Sequence, residues 1–382
     1  MAEARHISGG AEPRVVFFTG GTALREVSRA LACRTRRCVH LVTAFDSGGS
    51  TAALRRSFGM PAVGDIRNRM LALADPAVVP ETVLEVCRRR LPAEGNAAAL
   101  RAELCAYARP EHAAWQDMPP HFAQPLRGLL VSFLEAMPAD FNPHLAILGN
   151  LMLAGGYFAQ GRTLDPVLAF WQRLLAVRGE VLPITQESLH LAARLADGSV
   201  LVGQHLFCHL GQPVRRLFLT PWRPDCGMDC GEKRAEADAR ALALIRTADA
   251  VCYPMGSFYT SVVANLLPRG VTQAVADAQC PKFYIANSGY DAEQCGHSVA
   301  DRVRVLLTVL RRQAPDMPAE RLLHAVLVDT RHGQYSCGID SEGIAAQGVR
   351  LLDMPLLGAD PQHHDAELTA QAILQVTRTG AG

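Results

Sequence analysis

Long apolar runs are missing from this 382-residue chain: no stretch reaches the roughly 18 apolar residues that a membrane span needs. Residues 1–10 contain no apolar signal core. Both absences predict a cytoplasmic chain with no membrane partner. An excess of one charge is missing too. Lys and Arg number 38 against 37 Asp and Glu, a net charge of +1, which argues against a bulk electrostatic partner such as nucleic acid. Several chemical signatures are also absent. The chain has no Gly-x-Gly-x-x-Gly with an acidic ribose partner, so a tightly bound redox cofactor is not expected. No lysine follows its glycine turns as in a P-loop, and no Ser-His-Asp or Cys-His arrangement has a recognisable spacing.

Cysteine is present but arranged unhelpfully for disulfides. Eleven residues, an odd number without an export signal, predict reduced thiols. Cys226 and Cys230, with His205, Cys208 and His209 upstream, resemble the ligand pairs of a zinc ribbon. Their Cys-x-x-x-Cys spacing is looser than the usual pair, and reduced cysteines are the expectation.

What the chain does have is a repeated design of strand, Gly-rich loop and helix. Val15-Val16-Phe17-Phe18 runs into Thr19-Gly20-Gly21-Thr22, and Leu24, Val27, Ala30 and Leu31 then follow helical spacing. Leu41-Val42-Thr43-Ala44-Phe45 leads into Asp46-Ser47-Gly48-Gly49-Ser50, and Gly64-Asp65-Ile66-Arg67-Asn68 opens another helix. Glycine lets backbone N–H groups approach an anion closely, and a helix start adds about half a positive charge. The first turn alone suits either a phosphate or a plain tight turn. Three such loops could meet at the carboxyl edge of one parallel sheet, where α/β proteins bind ligands.

The rest of the chain extends that frame. Residues 80–140 are wholly helical in pattern, with helices predicted over 82–90, 97–108 and 121–137, as a lid or a buttress. An apolar helix ending at Phe158 and another over 165–176 follow. Strands are predicted over 180–183, 189–195, 200–203 and 215–219, with a turn at Ala196-Asp197-Gly198, giving a small antiparallel extension over about 180–219. A helix over 235–247 precedes strand 250–253, and Gly256-Ser257-Phe258-Tyr259-Thr260-Ser261 reads as a turn entering a helix, with Ser257 and Thr260 as its cap. Strand 282–286, a last strand 325–328 and a helix over 365–379 complete the reading. The predicted fold is α/β: a doubly wound, mostly parallel Rossmann-like sheet with a helical insertion and a small antiparallel β extension. One domain is expected over 14–335, with 336–382 as a C-terminal extension.

Gly20-Gly21-Thr22, Asp46-Ser47-Gly48-Gly49-Ser50 and Gly64-Asp65-Ile66-Arg67-Asn68 resemble the signature loops of the CofD/YvcK family. Val177-Arg178-Gly179-Glu180, Thr185-Gln186-Glu187-Ser188, Gly256-Ser257, Tyr259-Thr260-Ser261 and Asn265-Leu266-Leu267-Pro268 extend the likeness, and Gly149-Asn150 matches a helix start in the family. The family includes 2-phospho-L-lactate transferase and a gluconeogenesis factor that binds nucleotide sugars. Tyr253-Pro254-Met255, His297 and the single acid of Phe45-Asp46-Ser47 depart from its usual pattern.

The resemblance implies a nucleotide-linked small-molecule donor, a homodimer, and one of two activities. The first is transfer of a phospho-lactyl-type group to an alcohol acceptor such as the deazaflavin Fo. The second is regulatory binding of a nucleotide sugar without turnover. For transfer, Asp46, Asp65 and Arg67 are the expected catalytic residues, with Asp46 and Asp65 also holding Mg²⁺. Gly20, Gly21, Thr22, Ser47, Gly48, Gly49, Ser50, Asn68, Asn150, Gly256, Ser257, Tyr259, Ser261 and Asn265 are the expected nucleotide-binding residues. Trp115, Phe122 and Phe133 of the helical block are the aromatic residues available to line a slot for Fo.

Overall fold

The computed structural model describes residues 12–210, 212–221, 231–294 and 296–380. Its centre is a seven-stranded sheet built from β1 (Val15–Thr19), β2 (Val39–Val42), β3 (Glu180–Pro183), β7 (Ala250–Tyr253), β8 (Lys282–Ile285), β9 (Ala325–Val328) and β10 (Arg350–Asp353). A separate antiparallel sheet, in the order β5-β4-β6, holds β4 (His190–Leu195), β5 (Val200–Val202) and β6 (Val214–Thr220). In the large sheet the order is β10-β9-β8-β7-β1-β2-β3, and every neighbouring pair is parallel. The order reverses direction between β1 and β7. That is the topological switch point of a doubly wound sheet.

Parallel strands need crossovers, and helices supply them on both faces. α1 (Arg25–Ala32) follows β1; α2 (Gly49–Phe58) and α3 (Gly64–Ala72) follow β2. The helical block comes next, with α4 (Glu81–Arg88), α5 (Ala97–Tyr107), α6 (Pro120–Ala136), α7 (Leu148–Ala159) and α8 (Leu164–Leu174). In the second half α9 (Ala239–Arg246), α10 (Val271–Asp277), α11 (Val299–Arg311), α12 (Ser341–Ala346) and α13 (Ala366–Thr379) alternate with the strands or follow them. β1 shows why both faces must be covered. Val15 and Phe17 pack with Leu24, Leu31 and Ile373 on one face, and Val16 and Phe18 pack with Tyr253 and Tyr284 on the other. A strand buried on both sides reads as an unbroken apolar run, which is why it was legible.

The strand expected to be last, β9, is followed by another. β10 pairs with β9 from Arg350↔Ala325 to Asp353↔Val328, and α13 then packs against α1 under the same sheet. β10 is an edge strand of exposed and half-buried residues, so its sequence lacks the apolar run that marks an interior strand.

The helical block has its own core. Trp115, Phe122 and Phe133 are buried in it beside Leu104, Leu126 and Met152, and the Trp115 indole N–H donates to the Tyr107 carbonyl (2.8 Å). These three aromatics fill the protein's interior. The expectation that they line a ligand slot is corrected by their burial.

Candidate functional site

The carboxyl ends of β1, β2 and β7 deliver the loops that the sequence singled out. At the end of β1, Gly20 and Gly21 are buried while Thr22 is exposed. Both glycines are required by neighbours. A methyl group on Gly21 would lie 2.4 Å from Asp65 Oδ1 and 3.1 Å from Asp65 Cα, and one on Gly20 would lie 2.3 Å from Ser261 Oγ. The β1 turn is therefore pressed between the first turn of α3 and the segment after β7. From the far side, Asn265 Nδ2 donates to the Thr19 carbonyl (3.1 Å) and the Ser261 carbonyl (2.6 Å).

The loop after β2 meets the same place. Asp46 Oδ1 accepts the Gly48 N–H (2.9 Å), while Oδ2 faces the Gly64 Cα, where a methyl group would approach it to 3.0 Å. Ser47 is buried, its hydroxyl 2.9 Å from His205 Nδ1. Gly49 starts α2 with φ +42°, and no side chain caps that helix start. Its first N–H groups thus remain available to an anion. Ser50 Oγ accepts the Ile147 N–H (3.0 Å), tying α2 to the approach to α7.

Asp65 and Arg67 sit in the first turns of α3. Burial first, and then the negative charge of Asp46, push the Asp65 carboxyl up to about 7. Thr43 Oγ1 donates to Asp65 Oδ2 (3.4 Å) and opposes that rise. Arg67 is buried, and its two terminal nitrogens donate to Asn150 Oδ1 (2.6 Å) and Asn68 Oδ1 (2.6 Å). Burial lowers its pKa to about 10, which leaves it charged at neutral pH. Its Nε is buried with no hydrogen-bond partner.

The segment after β7 departs from the expected helix start. Phe258–Val262 forms a single π turn and Val263–Leu266 a 3₁₀ turn. Ser257 makes no cap. Instead, the carboxylate of Glu293 accepts the N–H groups of Tyr259 (2.8 Å) and Thr260 (2.9 Å) and the Thr260 hydroxyl (2.6 Å). The cap assigned to Ser257 and Thr260 is corrected accordingly, and the amides of Tyr259 and Thr260 are already satisfied by the Glu293 carboxyl group. Tyr259 is buried with its hydroxyl 3.2 Å from His297 Nε2. Gly256, at φ +138°, is held by Asn287 through Gly256 N–H (2.7 Å) and carbonyl (2.8 Å) contacts, and faces Ala23 of the β1 turn.

The structure thus brings together Gly20, Gly21, Asp46, Asp65, Arg67, Asn68, Asn150, Ser261 and Asn265, with Ser47–Ser50 alongside. Gly256, Ser257 and Tyr259 belong to an adjoining group organised by Glu293 and Asn287. Cys226 and Cys230 lie outside the described residues. Cys208 is exposed, and its Sγ lies 3.1 Å from the His205 carbonyl.

Two buried arginines under the loops escaped sequence reasoning. Arg69 donates to Ser28 Oγ (3.0 Å), Thr19 Oγ1 (2.9 Å) and the Gly20 carbonyl (2.8 Å), locking the β1 turn from beneath. Arg55 donates to the carbonyls of Phe45 (3.2 Å) and Asp46 (2.9 Å), fixing the β2 loop. Both had a signal. Arg69 is four residues after Asp65 and so shares its helix face, and Arg55 falls at inward spacing with Thr51, Leu54 and Phe58.

The donor set fits Mg²⁺. Asp46 and Asp65 offer hard oxygens, and the negative charge of Asp46 that helps to raise the Asp65 carboxyl is what a divalent cation would offset. Two carboxylates would leave the remaining positions to water and ligand phosphate, as is usual for that ion.

The family described as "2-phospho-L-lactate transferase CofD" matches residues 15–357. The gluconeogenesis factor of Halalkalibacterium halodurans is 27% identical over 376 residues, covering 94% of this chain and 95% of that protein. The gluconeogenesis factor of Bacillus subtilis is 28% identical over 298 residues, covering 78% and 75%. A crystal structure of a UPF0052-family protein from Bacillus halodurans superposes with a TM-score of 0.70 at 23% identity, covering 96% of this chain and all of that one, and shares the fold.

Proposed function

The chain belongs to the CofD family, and on that premise we propose that its loops bind the diphosphate of a nucleotide-linked small molecule with Mg²⁺. The observation that carries this reading is the convergence at the switch point. The uncapped start of α2, the Gly20–Gly21 turn and the buried guanidinium of Arg67 supply positive potential, and two carboxylates stand beside them. Backbone N–H groups and Arg67 would hold phosphate oxygens. Asp46 and Asp65 would hold Mg²⁺, which would neutralise the diphosphate charge. Asn150 and Asn68 keep Arg67 in place, so the cation is fixed before the ligand arrives. A nucleotide-sugar-type ligand bound without turnover is the first reading, and in its favour the similar proteins are named gluconeogenesis factor rather than transferase.

Transfer from that donor to an alcohol acceptor such as Fo is the second reading, supported by the description of the family. In it Arg67 would stabilise charge developing on the bridging oxygen. Against Fo itself stands the burial of Trp115, Phe122 and Phe133. The test is a thermal shift of the purified protein with Mg²⁺ across UDP-sugars, GDP, GMP and Fo. Stabilisation by UDP-sugars alone supports regulatory binding. Stabilisation by GDP or GMP together with Fo supports the transferase, and Mg²⁺-independent behaviour towards all of them refutes the shared premise.

A further inference from the structure

A second charged cleft lies at the opposite end of the strands. Its volume is about 370 Å³, and Arg14, Arg36, Arg37, Arg173 and Arg240 line it together with one acid, Glu180. The topology explains the gathering. Arg14 immediately precedes β1, Arg36 and Arg37 precede β2, Glu180 begins β3, Arg173 ends α8 and Arg240 lies in the first turn of α9. β1, β2 and β3 are adjacent, so their amino ends share one edge. The carboxyl-edge loops are a strand length away, about 15 Å.

Three of the five guanidinium groups, those of Arg14, Arg36 and Arg173, have no acid within ion-pair distance among the described residues. Arg240 is ion-paired with Glu180. Arg37 donates to the Glu12 carbonyl (2.6 Å) and lies 4.0 Å from Asp249. Arg14 spends its guanidinium on neutral oxygens, the carbonyl (3.3 Å) and hydroxyl (2.8 Å) of Thr247. The side chains of Arg36 and Arg173 have no hydrogen-bond or ion-pair partner among the described residues, and both residues are exposed. Five guanidinium groups around one cavity repel each other, and only Arg37 and Arg240 have an acid within 4.0 Å among the described residues to offset this. A ligand with several anionic groups would relieve that repulsion, and the planar fork of arginine matches phosphate and carboxylate oxygens two at a time.

We propose that this amino-edge cleft is a second ligand site, for a small polyanion bearing two or more phosphate or carboxylate groups. Among the described residues no aromatic ring lines the cleft, so these residues offer no platform for a nucleotide base. Recognition rests on charge and fork geometry, which suits a bisphosphorylated or polycarboxylate metabolite. A cavity of this size lies at the lower end of the range for small-molecule sites. The proposal is independent of the function assigned to the carboxyl edge, because the two sites share no residue.

The test is calorimetric titration of the full chain with inorganic pyrophosphate, and separately with citrate, in Mg²⁺-free buffer at physiological salt. One equivalent of at least one probe should bind. In the double variant Arg36→Gln/Arg173→Gln affinity should fall at least tenfold, and in Arg36→Glu/Arg173→Glu binding should vanish. Both side chains are exposed and have no hydrogen-bond or ion-pair partner among the described residues, so the variants should keep the wild-type melting temperature. Hydrogen exchange with the bound probe should slow around residues 35–39 and 177–181, and not around 48–52. Pyrophosphate binding without citrate binding assigns the site to phosphates, and the reverse assigns it to carboxylates. Failure of both probes to bind, affinity unchanged by the glutamine pair, or protection confined to 48–52 overturns the proposal.

Discussion

Gly21→Ala is the sharpest single test of the loop geometry. Gly21 does not have a left-handed φ, so alanine meets no backbone strain there. The cost is steric. Its methyl group would sit 2.4 Å from Asp65 Oδ1, 3.0 Å from Cγ and 3.1 Å from Cα. The carboxylate can swing, but the Cα belongs to α3 and moves only with the helix. Overpacking of this kind costs about 1–3 kcal/mol. Loss of conformational freedom in the unfolded chain returns about 0.4–1 kcal/mol. The net loss is about 1–2 kcal/mol, or roughly 1–2.5 °C in melting temperature for a chain of this size. Gly128→Ala is the control, because no atom lies within 4 Å of a methyl group added there in the middle of α6. It should stabilise by about 0.5–1 kcal/mol through helix propensity. The assay is thermal denaturation with and without Mg²⁺ and the ligand found to stabilise the wild type. Gly21→Ala should lose most of the ligand-induced shift as well as its own stability, and Gly128→Ala should keep the shift. A Gly21→Ala protein that melts within about 0.5 °C of wild type and retains its ligand shift refutes the apposition of the β1 turn and α3.

Asp46→Asn should abolish the Mg²⁺ dependence of ligand stabilisation while the fold melts normally, as read by a Mg²⁺ titration in the thermal-shift assay. Glu293→Gln isolates a pH effect. Burial raises the Glu293 carboxyl from 4.5 to about 7, so the stability this group contributes is full below about pH 4.5 and is lost as pH rises towards 7. The variant should match wild type near pH 4.5 and exceed it by about 2–3 kcal/mol at pH 8, measured by denaturant unfolding at both values; a variant less stable than wild type at pH 8 would show that the hydrogen bonds to the ionised carboxylate outweigh burial. Arg69→Met removes the donors to Thr19, Ser28 and Gly20 and the cation beside Asp65, and should cost about 3–5 kcal/mol by the same unfolding assay. Truncation after residue 335 removes β10 and uncovers the face that Ile373 and Leu374 bury, and the product should be found in the insoluble fraction on expression.

The central strand β1 can be read from residue type alone, because a strand covered on both faces must be apolar throughout, and Val15-Val16-Phe17-Phe18 is. Where the loops fall can also be read, because glycine turns that enter helices carry their own local signal. Asp46, Asp65 and Arg67 were legible for the same reason: each lies within a few residues of such a turn. Other features depend on contacts between segments far apart in the chain. β10 has no apolar run, since an edge strand is shielded from water on fewer sides, and its place was set by β9. Trp115, Phe122 and Phe133 have the same local pattern whether they line a slot or fill a core, and packing against α7 chose the core. Glu293 reaches the amides of Tyr259 and Thr260 across more than thirty residues of chain, a closure that no local spacing encodes. The arginine cleft was equally hidden. Its five guanidinium groups come from the ends of separate elements, scattered over a chain of almost zero net charge, and they meet only because adjacent parallel strands begin at one edge.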